Sequence, residues 1–465
     1  MAARAIFIGG TASHVGKSWF TAAVCRYLRS RGLKVAPFKA QNMSNNSYPC
    51  PGGGEIGRAQ VAQAEACGLV PEPAFNPILL KPTADRSSQV VVNGKVWRHL
   101  SARAYYEHFD ELLAHVLEAY SQLERRFDYI VVEGAGSVAE LNLKSRDLVN
   151  LGLAQRIGAR ALLVADIDRG GVFAAVIGTL GLLDPAEHEL VRAFAVNRFR
   201  GDPSLFSDGV KILEERTGRP CLGVFPHAKI HLDEEDGVAL DDLRSSASSR
   251  VAVVALPRIS NLTDFRLLPD AAWITRPVER KFDAIFLPGT KSTLADLAWL
   301  REQGLDEWIR HQHQQGARII GICGGYQMLG REIQDPGGSD GVEGVAEGLG
   351  LLPVATVMEA EKTTRAVTAL FQGMEVGGYE IHVGRTQALS PVTPFAFVNG
   401  EPEGACVSGC AGTYLHGVLE DHRVLSALAG FPVAAPVSKE ESYDALGRWF
   451  ADNANVELFE REYLS

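Results

Sequence analysis

The sequence lacks any apolar run that approaches the roughly 18 residues a membrane-spanning helix needs. It also lacks a signal-peptide pattern, because its first residues, MAARAIFIGG, pass directly into a glycine-rich turn. We therefore expect a cytoplasmic protein with no membrane partner. An excess of positive charge is missing too, since 46 Lys and Arg oppose 56 Asp and Glu, for a net charge of −10. This balance argues against a nucleic-acid partner but leaves room for local basic pockets that bind an acidic small molecule.

Cysteine is sparse and scattered. The 465 residues include 7 cysteines, an odd number, which indicates reduced thiols and not a disulfide framework. Cys406 and Cys410 are separated by three residues, but no second pair accompanies them, so they do not predict a zinc site. The 46% hydrophobic and 22% charged residues are typical of an ordinary globular protein.

The first half of the chain alternates short apolar segments with helical stretches, the pattern of a parallel sheet covered on both faces. The predicted strands are 4–8, 34–38, 129–133, 161–165, 193–196 and 221–224. The predicted helices are 17–31, 102–125, 172–182 and 205–217.

An acidic and then serine-rich segment, DEEDGVALDDLRSSASSR, divides the sequence. We predict a linker over 233–250, a P-loop domain over 1–232 and a second domain over 251–465. In the second domain, VAVVALP, DAIFLPG and ARIIGIC predict buried strands, with helices over 294–314 and 326–332. Both domains are therefore expected to be α/β.

A phosphate-binding loop follows the first predicted strand. Gly10, Thr11 and Gly16 lie in the turn, and Lys17 and Ser18 begin the next helix. In a P-loop the backbone N–H groups face the phosphates, while the lysine reaches phosphate oxygens and the hydroxyl reaches Mg²⁺. Five residues separate the two glycines where the strict motif has four, a variant of one branch of these ATPases. The loop predicts an ATP site with Mg²⁺, in which Ser18 is a metal ligand.

A nucleotide site of this kind also needs a carboxylate for the metal. Glu133 ends the apolar strand before GAGS, and open α/β sheets bind ligands at the carboxyl ends of their strands. Glu55, in PGGGEIG, is the second candidate metal ligand. A solvated loop glutamate is an equally good interpretation of Glu55.

Three polar loops follow predicted strands and are candidates for substrate recognition: KAQNMSNNS, DIDRGGVFA and NRFRGD. All would lie at the same edge of the sheet, where arginine side chains suit carboxylate or phosphate groups. Capping of the loops by Asn and Asp is the alternative. The candidate substrate-binding residues are Lys39, Gln41, Asn42, Asn45, Asp166, Arg169, Arg198 and Arg200.

Cys323 has the sequence context of an activated nucleophile. It ends the apolar strand ARIIGIC and precedes GGYQMLG, which gives a strand, a turn of small residues and a helix, as in a nucleophile elbow. The helix N-terminus stabilises a thiolate and supplies an oxyanion donor. His416 in GTYLHG is the predicted base and His382 in GYEIHVG its competitor. Gly289 and Gly324 are the predicted oxyanion-hole donors.

These segments resemble one family over nearly the whole chain, the glutamine-dependent cobyric acid synthases of cobalamin biosynthesis. The resemblance rests on GGTASHVGKS, KAQNMSNNS, VVEGAGSVAELNL, DIDRGGVFA, NRFRGD, GICGGYQMLG, GYEIHVGRT and GTYLHG. The N-terminal half is similar to dethiobiotin-synthetase-type ATPases, and the C-terminal half to class I glutamine amidotransferases. KAQNMSNNS is the segment that best distinguishes this family from the enzymes that amidate the a and c carboxylates of cobyrinic acid.

The resemblance implies two linked reactions. Cys323 would attack the side-chain amide of glutamine while His416 moves the proton, and a glutamyl thioester would form as ammonia is released. ATP with Mg²⁺ would phosphorylate the b, d, e and g carboxylates of adenosylcobyrinic acid a,c-diamide. Ammonia passed between the two domains would then displace phosphate to give adenosylcobyric acid.

Two features leave alternatives open. The carboxylate that usually follows the amidotransferase histidine by two residues is replaced by Val418, so the histidine acts in a dyad or with another group, for which Glu380 and Glu420 are candidates. The alternative functions are a cobyrinic acid a,c-diamide synthase, a P-loop switch ATPase with a regulatory domain, and a glutaminase with a nucleotide-sensing half. Switch ATPases carry a lysine five residues before the P-loop lysine, where this sequence has Ala12.

Overall fold

Two six-stranded sheets, one in each half of the chain, form the predicted α/β architecture. The computed structural model describes residues 2–84, 87–228, 230, 248–341 and 343–465. Most of the predicted linker, residues 233–247, lies outside the described residues. Among the helices that the described ranges form, none is long and apolar enough to cross a membrane.

The first half contains twelve strands and eight helices within its described residues. The strands are β1 (Arg4–Gly10), β2 (Val35–Phe38), β3 (Gln41–Met43), β4 (Ser47–Pro49), β5 (Glu55–Gly57), β6 (Ile78–Ala84), β7 (Ser87–Val92), β8 (Lys95–Ser101), β9 (Tyr129–Glu133), β10 (Arg160–Asp166), β11 (Val191–Phe199) and β12 (Cys221–Pro226). The helices are α1 (Lys17–Ser30), α2 (Arg58–Cys67), α3 (Ala102–Glu107), α4 (Phe109–Glu124), α5 (Leu151–Arg156), α6 (Val172–Leu182), α7 (Pro185–Leu190) and α8 (Ser207–Thr217).

The central sheet of the first half has the order β12-β11-β10-β1-β9-β2, and all its neighbouring strands are parallel. Alternate residues of β1 enter two different hydrophobic clusters, with Phe7 on one face and Ile6 and Ile8 on the other. Both faces are therefore buried, as the unbroken apolar strands predict. Because the strands are parallel, their carboxyl ends meet at one edge, where the polar loops emerge.

The six predicted strands of this half are confirmed, most of them longer by one to three residues at an end. The predicted helix over 102–125 is two helices that meet at His108, and residues 203–206 form a 3-10 turn before α8. A four-stranded sheet, β3-β6-β7-β8, was not predicted, because its polar and proline-containing strands do not follow the buried-strand pattern.

The second half contains twelve further strands and six helices within its described residues. The strands are β13 (Val251–Val254), β14 (Ala272–Ile274), β15 (Ala284–Leu287), β16 (Arg318–Ile322), β17 (Glu332–Asp335), β18 (Gly344–Glu347), β19 (Val354–Phe371), β20 (Met374–Ala388), β21 (Ala396–Val398), β22 (Glu401–Glu403), β23 (Ala405–Val407) and β24 (Cys410–Thr413). The helices are α9 (Thr293–Glu302), α10 (Leu305–Gln314), α11 (Gly324–Leu329), α12 (His422–Ala429), α13 (Lys439–Asn453) and α14 (Val456–Phe459).

The second central sheet has the order β14-β13-β15-β16-β24-β23 and is parallel except for its last pair. The predicted helix over 294–314 is interrupted at Gly304, whose φ of 71° ends one helix and begins another. The prediction over 326–332 is also wrong in extent, because α11 begins at Gly324 and Glu332 already belongs to β17. The long hairpin of β19 and β20 was not predicted.

The C-terminal helices pack on the first half of the molecule. Phe450 of α13 lies in the same cluster as Phe20 of α1, with ring centroids 5.7 Å apart. Asn455 donates its backbone N–H to Leu222 in β12, at 2.6 Å. The predicted range 251–465 thus includes a terminal segment that covers the first sheet.

Candidate active sites

A large cavity opens at the carboxyl edge of the first sheet. Its volume is about 800 Å³, and its wall includes Gly16, Lys17 and Ser18 from the start of α1 and Glu133 from the end of β9. Parallel strands bring these positions together although more than a hundred residues separate them, as the topology of open α/β sheets requires.

The loop between β1 and α1 has the geometry of a phosphate-binding loop. The side chain of Lys17 folds back over this loop, and its Nζ donates to the carbonyls of Ala12 and Gly136, each at 2.9 Å. Gly16 has φ of 93°, and a Cβ there would lie 2.5 Å from Nδ2 of Asn197, so glycine is required.

Gly10 and Thr11, the other two predicted loop residues, lie at the start of this loop. A Cβ on Gly10 would lie 3.0 Å from Cδ of Lys17, and Thr11 donates its N–H to Val164 at 3.0 Å. The five predicted nucleotide-binding residues therefore belong to one loop, of which Gly16, Lys17 and Ser18 line the cavity.

Glu133 is held as a carboxylate at the floor of this cavity. It accepts hydrogen bonds from Ser18 Oγ at 2.7 Å, Lys39 Nζ at 3.0 Å and Gln63 Nε2 at 2.5 Å. Burial alone would raise the pKa of Glu133, but Lys39 and the hydrogen bonds outweigh burial and lower it.

The oxygens of Glu133 and Ser18 fit Mg²⁺, which prefers oxygen ligands. Among the described residues, no three His, Cys, Asp or Glu side chains are grouped so that they could hold a metal ion. Mg²⁺ does not need such a group, because it usually keeps several waters and binds one or two carboxylates together with substrate phosphates.

Glu55, the second predicted metal ligand, does not line this cavity. Its carboxylate is buried and accepts from Lys81 at 2.5 Å, Lys362 at 2.6 Å and Ser47 Oγ at 2.8 Å. The two lysines lower its pKa against the effect of burial. Paired with two ammonium groups, this carboxylate links the two halves of the molecule and is not among the residues that line the P-loop cavity.

Five of the eight predicted substrate-binding residues line a cavity. Lys39, Gln41, Asn42 and Arg198 line the large cavity. Asn45 lies instead on the second, smaller cavity.

The remaining three predicted substrate residues do not line either cavity. Asp166 accepts from Arg198 at 3.1 Å and orients that guanidinium. Arg169 is 68% exposed. Arg200 pairs with Asp168 through two hydrogen bonds, at 2.5 and 3.0 Å, on the exposed rim.

An aromatic wall of the large cavity was missed in the sequence. Trp449 of α13 and Trp19 of α1 both line it, with ring centroids 6.2 Å apart, and Trp449 donates to the carbonyl of Pro226 at 3.0 Å. No sequence signal links a helix near the C-terminus to the P-loop, because only tertiary packing brings them together.

Cys323 lies on a sharp turn between β16 and α11. Its φ of 51° and ψ of −108° are strained for a residue other than glycine, the backbone of a nucleophile elbow. The flanking glycines are required by close packing. A Cβ on Gly325 would lie 2.0 Å from the carbonyl oxygen of Leu287, and one on Gly321 would lie 2.6 Å from the backbone of Gly325.

His416 is the histidine at this cysteine, and Asp264 orients it. Nδ1 of His416 lies 2.7 Å from Oδ2 of Asp264, whose Oδ1 accepts the N–H of Gly417 at 2.7 Å. Both side chains are 1% exposed. Burial lowers the pKa of His416, but Asp264 and a hydrogen bond with Cys323 raise it to about 10. The three residues form a Cys-His-Asp triad.

The earlier candidates for these roles have other partners. His382 lines the same cavity, but its Nδ1 contacts the carbonyl of Gly384 at 2.8 Å and its ring stacks on Tyr414. Glu380 is bound by Arg365, and Glu420 by Arg58 at 2.7 Å. Neither glutamate orients His416.

The two predicted oxyanion-hole glycines lie beside the triad. A Cβ on Gly289 would lie 2.9 Å from Cε1 of His416 and 3.6 Å from Cβ of Cys323. Gly324 is the first residue of α11, where backbone N–H groups have no partner within the helix. The structure therefore brings both glycines to the nucleophile.

The cavity above Cys323 also contains charged residues that the sequence did not suggest. Lys291 and Asp340 line it, together with Lys81 and Lys362, which are both paired with Glu55. Burial, with Lys362 nearby, lowers the pKa of Lys291, and burial raises the pKa of Asp340 to about 6. Lys291 and Asp340 place a cation and a carboxylate that are not bound to Glu55 on the wall of one cavity, which suits a zwitterionic ligand.

Comparison with known proteins identifies both halves. Residues 6–237 match the model of the CobQ/CobB/MinD/ParA nucleotide binding domain, and residues 250–424 match that of the CobB/CobQ-like glutamine amidotransferase domain. A cobyric acid synthase of Parabacteroides distasonis is 45% identical, covering 98% of this chain and 97% of its own. Those of Hyphomonas neptunium (46%, covering 96% and 93%) and Jannaschia sp. (44%, covering 95% and 95%) are similarly close. The chain belongs to the cobyric acid synthase family.

Proposed function

We propose that this chain catalyses the ATP- and glutamine-dependent amidation of the b, d, e and g carboxylates of adenosylcobyrinic acid a,c-diamide, to give adenosylcobyric acid. The observation that carries the proposal is the occurrence, in one chain, of a Cys-His-Asp triad and a P-loop cavity with an ionised carboxylate. Such a pair of sites joins nitrogen release to carboxylate activation. Glutamine, ATP and a corrinoid are its small-molecule partners, and the cytoplasm is its expected location.

In the glutaminase reaction, the thiolate of Cys323 attacks the side-chain amide carbon of glutamine. The oxyanion that forms is stabilised by the N–H groups of Gly289 and Gly324. His416 donates a proton to the departing nitrogen, which leaves as ammonia, and a glutamyl thioester remains. Water, deprotonated by His416, then hydrolyses the thioester to glutamate and restores the cysteine.

Glutamine recognition is supported by two of the charged residues in the same cavity. Lys291 is placed to bind the α-carboxylate of glutamine and Asp340 its α-ammonium group. Both are needed because an amide alone does not distinguish glutamine from other primary amides.

In the synthetase reaction, a substrate carboxylate oxygen attacks the γ-phosphorus of ATP, forming an acyl phosphate and ADP. Lys17 and the loop N–H groups hold the phosphates. Ser18 and Glu133 are the proposed Mg²⁺ ligands, and the ion when bound neutralises charge on the phosphates. Lys39 and Arg198 are the cavity cations for the substrate carboxylates. Ammonia attacks the acyl carbon, and phosphate departs as the amide forms.

Passage of ammonia between the proposed domains, 1–232 and 251–465, is supported by one segment that reaches both cavities. Lys39, Gln41 and Asn42 line the large cavity, while Asn45 and Ser47 line the cavity of Cys323. Ammonia released at the triad therefore faces the segment that also borders the phosphate site.

Mass spectrometry of a reaction with the a,c-diamide, ATP and glutamine tests this function. We expect four successive conversions of acid to amide, and an unchanged substrate would refute the proposal. In Cys323→Ser, glutamine should no longer support amidation, whereas free ammonia should. Equal loss with both nitrogen donors would contradict the role of Cys323. A cobyrinic acid a,c-diamide synthase would instead amidate cobyrinic acid and leave its a,c-diamide unchanged.

A further inference from the structure

A residue of the first half makes a buried hydrogen bond at the glutaminase triad. Oδ1 of Asn46 accepts the backbone N–H of Asn261 at 2.7 Å. Asn46 is 6% exposed and Asn261 is 5% exposed. The bond thus lies inside the contact between the halves, where it is shielded from water and retains its strength.

Asn261 belongs to the segment that lies beside both nitrogens of His416. Its side-chain Nδ2 lies 3.2 Å from Nε2 of His416. It also precedes the 3-10 helix Leu262–Phe265, which carries Asp264, the partner of Nδ1. The orientation of His416 therefore depends on the position of four consecutive residues.

The backbone of this segment is held in a conformation that needs support. Asn261 has φ of 55° and ψ of 50°, in the left-handed region, which costs free energy for any residue other than glycine. Its carbonyl accepts the N–H of Asp264 at 3.1 Å, so the strained residue and the triad aspartate are directly linked. The bond from Asn46 stabilises this arrangement from outside the second half.

Asn46 is also connected to the nucleotide site. Its carbonyl accepts the N–H of Arg58, the first residue of α2, at 3.0 Å. In the same helix, Gln63 donates to Glu133 at 2.5 Å. The guanidinium group of Arg58 donates a hydrogen bond to the carboxylate of Glu420 in the second half, at 2.7 Å. One ten-residue helix thus contacts the proposed Mg²⁺ carboxylate and the environment of the triad.

We propose that Asn46 is a positioning residue of the glutaminase, supplied by the synthetase half: it fixes Asn261 and Asp264 and, through them, His416. The proposal rests on the glutaminase role of Cys323 and His416. It places part of the glutaminase on KAQNMSNNS, the segment whose residues Lys39, Gln41 and Asn42 border the phosphate cavity. Glutamine hydrolysis accordingly depends on how the first half holds this segment.

Asn46→Ala tests the proposal in the full-length protein. We expect kcat for glutamine hydrolysis to fall about tenfold, the effect of one lost hydrogen bond in a buried network, with KM for glutamine changed little. Ammonia-supported amidation should remain, because the P-loop cavity is unaltered. Asn46→Asp, which keeps an acceptor oxygen for the N–H of Asn261, should restore most of the lost kcat.

The rate of Cys323 alkylation by iodoacetamide at one fixed pH provides a second measurement. A less well held His416 removes the thiol proton less effectively, so Asn46→Ala should be alkylated more slowly than the wild type. Tyr48→Phe is the matched control, because it alters the same contact surface without touching the bond to Asn261, and it should leave kcat and the alkylation rate unchanged.

The outcomes separate this proposal from the proposed function. An Asn46→Ala protein with wild-type kcat and wild-type alkylation rate would overturn the positioning role. So would equal loss of ammonia-supported amidation, which would indicate general unfolding or damage to the first half. If Cys323→Ser retains glutamine-supported amidation, the glutaminase assignment itself fails.

Discussion

Asp264 binds Nδ1 of His416 at 2.7 Å, although 152 residues separate the two in the chain. In amidotransferases of this class the carboxylate usually follows the histidine by two residues, but here that position is Val418, which is fully buried in the core. The carboxylate comes instead from a short 3-10 helix after β13. The geometry around the histidine is that of a triad, and only its chain order is unusual.

Replacing the triad carboxylate should separate the two nitrogen sources. In Asp264→Asn we expect glutamine-supported amidation to fall about 10²- to 10⁴-fold, because the imidazole loses the group that fixes its tautomer and stabilises its charge. Ammonia-supported amidation should persist. Steady-state rates with each donor, measured on the same preparation, check this.

Glu380→Gln is the control for the alternative orienting group. Its carboxylate is bound by Arg365 and not by His416, so glutamine-supported amidation should stay within a few-fold of wild type. A large loss in Glu380→Gln together with a mild effect in Asp264→Asn would reverse the assignment of the third residue.

The sequence predicted those parts of the sites that lie within single strand-loop-helix units. The P-loop, Glu133 and the turn at Cys323 each depend on a strand end and the residues that follow it, and local pattern suffices to recognise them. His416 was identified by its motif.

Residues brought in by tertiary packing could not be predicted in this way. Asp264 lies on a four-residue 3-10 helix that has no apolar periodicity, and Trp449 comes from a C-terminal helix that returns to the first sheet. The lysine partners of Glu55 could not be predicted either, because a buried carboxylate with two lysine partners and a solvent-exposed one have the same sequence signature. Sequence spacing carries no information about such distant partners.

Loss of the P-loop lysine should stop amidation with either donor. In Lys17→Ala we expect both rates to fall by roughly 10²-fold or more, because activation of the carboxylate precedes attack by ammonia. Lys211→Ala is the matched control, since Lys211 is 69% exposed on α8 and pairs only with Asp208 among the described residues. Retained ammonia-supported amidation in Lys17→Ala would contradict the phosphate role of the lysine.

The charges in the cavity of Cys323 should govern the KM for glutamine. In Lys291→Met we expect KM to rise about tenfold or more with a smaller change in kcat, because an ion pair with the α-carboxylate is lost. Substrate-saturation curves for glutamine provide the measurement. An unchanged KM would exclude Lys291 from glutamine binding.

Asp340 predicts a pH dependence of the same parameter. Burial raises the pKa of Asp340 to about 6, so the carboxylate that would bind the α-ammonium group becomes protonated as the pH falls through this value. KM for glutamine should therefore rise between pH 7 and pH 5 in the wild type. Asp340→Asn should show a high KM throughout this range, without that rise.

Glu403 should reduce the stability of the protein at neutral pH. Its carboxyl group accepts from Thr413 Oγ1 at 2.6 Å and from the N–H of Tyr414 at 2.7 Å, but burial raises its pKa to about 7. In the unfolded chain a glutamate has a pKa of about 4.3, so the folded state holds the proton more tightly and loses stability as the pH rises from 4.3 to 7.

Glu403→Gln keeps one acceptor oxygen and removes this titration. At pH 8 the variant should be more stable by roughly 1 to 3 kcal/mol, and at pH 4 it should have no such advantage. Urea unfolding at both pH values measures the difference, and an equal gain at pH 4 and pH 8 would show that the titration of Glu403 is not its cause.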